Sequence, residues 1–305
     1  MTARQASLRK SLIFASLATL AWSTVAAVFK MTIEAFGGDI GLMLFYSTLF
    51  SFFILGAAAW KSPGRAGLLR PGKAQILGSA LLGFFNPFAY YLILFKAYSL
   101  LPGQEAQPLN FTWPIVLALL SVPLLGQRLK PLHGLAILLS FTGVFVIGTR
   151  GLVLSLRFSC LPGVVLAAGS SLLWALYWIL NVKDRRPAVV KLFTGFAFGL
   201  IYIFLYNIFL GQIRIPSLAQ ALGALWIGTF EMGLTFLFWM KALELAPETV
   251  LVSNLVYLAP FLSLLFLNRI AGERILPSSV LGLCLIVAGL LVQSLSRARS
   301  KTLLS

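Results

Sequence analysis

Two polar residues sit where an apolar chain has least reason to keep them. Asn86 and Glu231 are each embedded in a long apolar run. Each lies about twelve residues into that run, roughly 18 Å along a helix at 1.5 Å per residue. If the runs cross a membrane, both groups fall near its centre, where lipid offers a polar side chain no partner. A charged Glu231 turned towards hydrocarbon would cost on the order of 2.5–3.5 kcal/mol. The carboxyl is therefore expected to face the interior. There it could pair with a substrate ammonium or couple transport to protons, or simply be a protonated acid bonded to a neighbouring helix.

Aromatic residues gather at similar depth: Trp22, Tyr90, Tyr91, Trp113, Trp174, Tyr177, Trp178, Trp239 and Tyr257. Such rings hold planar or cationic groups by stacking and cation–π contact, but they also anchor helices at interfaces or merely pack. Trp22, Tyr90, Trp113 and Trp178 lie deepest, and with Asn86, Asn110 and Glu231 they form the expected substrate-binding set. Asn110 heads an Asn-Phe-Thr glycosylation pattern, discounted because it lies within a span. Pro87, Pro114 and Pro260 interrupt helices and are expected either to hinge and shape a cavity or to make static kinks. Lys96 and Lys241 lie near opposite surfaces. They either snorkel or act as gates, Lys96 pairing with Glu105 and Lys241 with Glu244 or Glu248.

Other chemistries find little support. The chain has one histidine, His133, read as structural, and neither a His-Glu-x-x-His pattern nor a nucleophile with its base. No Gly-x-x-x-x-Gly-Lys-Ser/Thr loop for ATP is present. No catalytic residues, metal or cofactor are expected, and an intramembrane enzyme or a channel remains a remote alternative. Cys160 and Cys284, far apart in apolar segments, are read as packing residues.

The elements that must position these groups follow from composition. Hydrophobic residues make up 59% of the 305 and charged residues only 10%. Apolar runs of about 20 residues, the length a helix needs to cross hydrocarbon, recur at Ser11–Phe29, Gly41–Trp60, Ala74–Ser99, Ala106–Leu125 and Leu132–Thr149. They continue at Cys160–Asn181, Val190–Leu210, Ser217–Met240, Thr249–Asn268 and Ser278–Leu295. The N-terminal start, with Arg4, Arg9 and Lys10 before an apolar stretch, imitates a secretory signal but is read as the first span. The net charge of +16 sits in short loops. With the N-terminus in the cytoplasm, seventeen Lys and Arg fall inside and seven outside, a bias that orients the chain with both termini cytoplasmic. The basic charge thus serves orientation, and the expected partners are the lipid bilayer and a small-molecule substrate, not nucleic acid. A monomer is the default state.

A repeat runs through the sequence at an offset of 145 residues. Ala74-Gln75-x-Leu77-Gly78 returns as Ala219-Gln220-x-Leu222-Gly223, and Lys96-Ala97-x-x-Leu100-x-Pro102 as Lys241-Ala242-x-x-Leu245-x-Pro247. After a one-residue slip, Pro114, Gly126-x-Arg128, Pro131 and Gly143 meet Pro260, Gly272-x-Arg274, Pro277 and Gly289. Asn86 and Glu231 are themselves equivalents at this offset. Because each copy spans five times, the second enters from the opposite side. The expected fold is an all-α membrane protein of ten transmembrane helices, two inverted five-helix repeats (1–150 and 151–305) around a central cavity at the midplane.

Two Ala-x-x-Leu-x-Pro turns, a proline within each following span and the Gly272-Glu273-Arg274 turn resemble the drug/metabolite transporter superfamily in its EamA-type two-repeat form. The first copy carries Gly126-Gln127-Arg128 instead, so the acid is not shared by the halves. The resemblance covers nearly the whole chain and is greatest to the branch that exports aromatic amino acids and paraquat-like compounds. It implies a basket-like ten-helix bundle in a bacterial inner membrane, exporting amino acids, aromatic or neutral, or related metabolites by alternating access. A proton-coupled exporter of drugs and aromatic cations is the alternative.

Overall fold

The computed structural model describes residues 3–65, 68, 71–126, 131–155, 158–246 and 255–302. Expectations resting on Gln127, Arg128, Pro247, Glu248 and Thr249 lie outside these residues.

Every regular element among them is helical. Helix α1 (Ala3–Ala35) is followed by α2 (Ile40–Lys61), whose first turn is capped by Asp39 accepting from the Leu42 N–H at 3.0 Å. The third apolar run splits into α3 (Lys73–Gly83) and α4 (Tyr90–Leu100), separated by a wide turn over Phe84–Ala89. Asn86 there is extended, with φ −144° and ψ 118°, because a residue before proline is driven out of the helical region. The fourth run likewise divides into α5 (Gly103–Asn110) and α6 (Trp113–Leu125), and α7 (Pro131–Gly148) completes this half.

The remainder contains α8 (Leu161–Lys183), α9 (Ala188–Phe209), α10 (Leu218–Trp226), α11 (Leu234–Leu245), α12 (Ala259–Ile270) and α13 (Pro277–Thr302). A second wide turn, Ile227–Glu231, separates α10 from α11. Pro114 and Pro260 occupy the first turns of α6 and α12, where a missing N–H costs no helical bond. These two prolines open new helices instead of bending continuous ones.

Eight helical stretches among the described residues are long and apolar enough to cross a membrane, from Ser7–Ala35 to Pro277–Ser294. Two further apolar stretches, Leu132–Gly148 and Leu255–Ile270, are shorter. Large apolar side chains cover the outside, Phe53 being 63% and Phe209 88% exposed. Such a surface is stable against lipid and not against water.

Helix pairing follows one pattern in both halves. α1 packs on α11 and α12, while α8 packs on α4 and α6. α2 packs on α10, while α9 packs on α3, and the pairs α2–α9 and α7–α13 join like to like. Glycines permit the close crossings. A Cβ on Gly83 would come within 2.3 Å of the Gly195 carbonyl, and one on Gly228 within 2.3 Å of the Ser47 carbonyl. At the α7–α13 crossing, a Cβ on Gly143 would meet the Gly282 carbonyl at 2.5 Å, the close backbone approach that small residues allow between membrane helices.

Candidate functional site

The wide turns place polar groups inside the bundle. In α10–α11 the turn ends on Glu231, which is 7% exposed. Tyr91, fully buried at the start of α4, donates its hydroxyl to Glu231 Oε1 at 3.0 Å. Glu231 Oε2 is buried without a hydrogen-bond partner. A buried acceptor left in this state carries its full desolvation cost, so it is a place where a donor from a bound molecule would be most strongly rewarded.

Glu231 lines a cavity of about 330 Å³ enclosed by helices of both halves. Trp22, Tyr90, Asn110, Trp113, Trp178 and the first-turn proline Pro114 line it too. The aromatic wall is continuous. Tyr90 stacks on Trp174 with ring centroids 4.7 Å apart and an interplanar angle of 29°, and Trp113 lies nearly parallel to Trp178 at 6.4 Å and 20°. Across the cavity, Trp22 meets Trp239 at 5.5 Å. Asn110 is held at both ends of its amide, accepting from the Tyr90 hydroxyl at 3.3 Å and donating to Ser170 Oγ at 2.8 Å. The Trp178 indole N–H is buried without a partner. No Lys, Arg, His or Asp is found among the described lining residues, so Glu231 is their single formal charge.

Not every residue singled out in the sequence lies here. Asn86 is 1% exposed and outside the cavity wall, and neither of its amide atoms makes a hydrogen bond of normal geometry. Its extended backbone within the wide turn carries the side chain away from the wall that the equivalent Glu231 occupies. Pro87 packs against Gly199, where a Cβ would approach its ring to 2.4 Å, and Pro260 is buried in α12.

Of the two expected lysine pairs, Lys241–Glu244 forms and Lys96–Glu105 does not. Glu105 is fully buried and accepts from Arg150 Nε at 2.8 Å and from Ser159 Oγ at 2.6 Å. Lys96 is exposed, and α5 turns Glu105 towards the segment joining the halves, so the Lys96–Glu105 pair does not form. Lys241 bonds Glu244 at 3.1 Å, but this is an exposed pair three residues apart on one helix. It bridges no two elements. Glu248 lies outside the described residues.

Sequence reasoning ranked Tyr91, Trp174 and Trp239 below their neighbours and passed over Gln107, which also lines the cavity. The tandem Tyr90-Tyr91 was the available signal. Adjacent helical residues face about 100° apart, so one ring can form the wall while the other reaches behind it to the acid.

A helical bundle with an apolar outer surface around a polar and aromatic cavity of about 330 Å³ is the build of a multi-pass membrane transporter. The match to a family model makes this specific. The chain belongs to the EamA-like transporter family, within the drug/metabolite transporter superfamily, matching over residues 9–149 and again over 161–295. It is 29% identical over 262 residues to the aromatic amino acid exporter YddG of Ancylobacter novellus, covering 81% of this chain and 89% of that protein. It is 24% identical over 235 residues to an uncharacterized transporter, YyaM, of Bacillus subtilis, covering 74% of each. A solved crystal structure superposes with a TM-score of 0.61 at 25% identity, over 95% of this chain and 98% of that one.

Proposed function

We propose that this protein is a secondary exporter of the bacterial inner membrane that carries amine-bearing amino acids, aromatic or neutral, or related aromatic metabolites. The observation that carries this is the buried Glu231 carboxyl, anchored through one oxygen by Tyr91 and unpartnered at the other, in the wall of an aromatic cavity. A substrate ammonium would satisfy Glu231 Oε2, and an aromatic side chain would stack among Trp22, Tyr90, Trp113 and Trp178. Asn110 and the Trp178 indole N–H would serve the substrate's polar atoms. The likeness to an aromatic amino acid exporter supports the same class.

In this proposal the chain crosses the membrane ten times, as inverted halves 1–150 and 151–305, with both termini cytoplasmic. The exchanged helix pairing supports two related halves, as do the wide turns bearing the equivalent residues Asn86 and Glu231. The halves rock about the cavity to expose it to each surface in turn. Pro87, Pro114 and Pro260 mark the helix breaks at which such motion would be taken up.

One observation favours a second reading. A carboxyl without a compensating base among the described lining residues suits a net cation better than a zwitterion, as in a proton-coupled exporter of aromatic cations. A competition screen in proteoliposomes, with Trp, Phe, Met, Thr and paraquat against one labelled substrate, separates the two. Competition by amino acids supports the first, competition by paraquat alone the second, and failure of every compound to move rejects both.

A further inference from the structure

The cavity lining includes Tyr98 and Gln107, near the corner where α4 gives way to α5. It also includes Leu243 and Val256, beside the end of α11.

The α4–α5 corner is tied from several directions. Glu273, from the connection between α12 and α13, accepts from the Gly103 N–H at 2.7 Å (Oε1) and the Gln104 N–H at 3.2 Å (Oε2). Its carboxylate thus sits on the N-terminus of α5, where exposed N–H groups and the helix dipole favour negative charge. The Gln104 side chain returns the contact, donating to the Arg274 carbonyl and accepting from the Leu276 N–H, each at 2.8 Å. From α1, Lys30 Nζ donates to the carbonyls of Tyr98 and Leu101 at the end of α4, at 3.0 and 3.1 Å, a cation at a helix C-terminus. Gly103 is needed for this approach, since a Cβ there would lie 2.6 Å from Leu267 Cδ2. At the corresponding sequence positions the chain has Glu248 and Thr249 in place of Gly103 and Gln104, and Gln127 in place of Glu273. The bonding set is therefore not duplicated in the other half's sequence.

We propose that the reciprocal Gln104–Glu273 clamp is the outer gate of the transporter, sealing the cavity in this conformation and opening when cargo leaves. Calling this corner the outer one rests on the topology proposed above. The clamp joins the two halves through four hydrogen bonds.

The test uses full-length protein with Cys160→Ala and Cys284→Ala and a reporter, Leu94→Cys, in the cavity wall beneath the corner. A membrane-impermeant thiol reagent is applied to each side of the membrane. The reporter should react from the cytoplasmic side and barely from outside. Adding Glu273→Gln should raise outside labelling roughly ten- to a hundredfold, the loss expected for hydrogen bonds to a charged group. A second chain, with Gln104→Cys and Leu276→Cys, should lose transport when the pair is oxidised and regain it on reduction, which misfolding would not mimic. Equal outside labelling with and without Glu273→Gln, or full transport by the cross-linked protein, would overturn the clamp. A parent reporter that reacts only from outside would instead overturn the orientation on which the outer assignment depends.

Discussion

The Tyr91 hydroxyl points at Glu231 Oε1 across 3.0 Å, joining α4 of one half to the wide turn of the other. One oxygen of the carboxyl is thereby fixed while its twin, Oε2, keeps its capacity to accept. A freely rotating carboxylate would have to be ordered each time a substrate bound. Here the ordering is already done by the fold.

Tyr91→Phe removes that anchor with little change in volume. A hydrogen bond to a charged group is worth about 1.5–3 kcal/mol, so the apparent KM for an amine substrate should rise about tenfold or more with the maximal rate less affected. Initial rates of uptake into proteoliposomes check this.

Glu231→Gln should separate stability from function. Amine transport should fall below detection, while thermal stability in detergent should hold or rise, because a neutral amide of the same shape replaces a buried ionisable carboxyl. Transport rates and thermal unfolding of the same preparation provide the comparison.

The glycine crossings set a packing test. Gly228→Ala and Gly83→Ala should each destabilise by about 1–3 kcal/mol, since the new Cβ meets backbone oxygen in both cases. Gly78→Ala, with nothing within 4 Å of its Cβ, should be tolerated. Denaturation midpoints in detergent measure the difference.

The loop between α8 and α9 has its own pH signature. Burial pushes the Asp184 carboxyl up, but hydrogen bonds and charge from Arg186 outweigh it and hold the pKa below the usual carboxylate range. Arg186 NH2 lies 2.6 Å from Asp184 Oδ2, and its NH1 reaches Ser79 Oγ of α3 at 2.8 Å. The folded value is depressed, so the stabilisation is present in full above the unfolded pKa of about 3.9 and fades as pH falls through the folded value. Asp184→Asn should lower the unfolding temperature at pH 7, and the gap should close at acidic pH.

How far these features were legible depended on whether they lie along the chain or across it. Apolar run length and loop charge are properties of consecutive residues, so the helices could be read directly. Depth along a helix is equally local, and Trp22, Tyr90, Asn110, Trp113, Trp178 and Glu231 do meet around one cavity. Facing is harder to read where a helix is interrupted. At Asn86 the residue before proline leaves the helical region, and the rotation built up along α3 no longer predicts where its side chain points. The partners of charged groups were the least accessible. Glu105 has Lys96 nearby in sequence, yet it binds Arg150 and Ser159, and Glu273 caps a helix 170 residues away.

The most direct measurement of the central claim is counterflow in ATP-free proteoliposomes. Vesicles preloaded with unlabelled tryptophan or an aromatic amine should transiently accumulate the labelled compound above equilibrium, and vesicles carrying Glu231→Gln should not. Absence of any overshoot with these compounds, or an overshoot undiminished by Glu231→Gln, would contradict transport through this cavity.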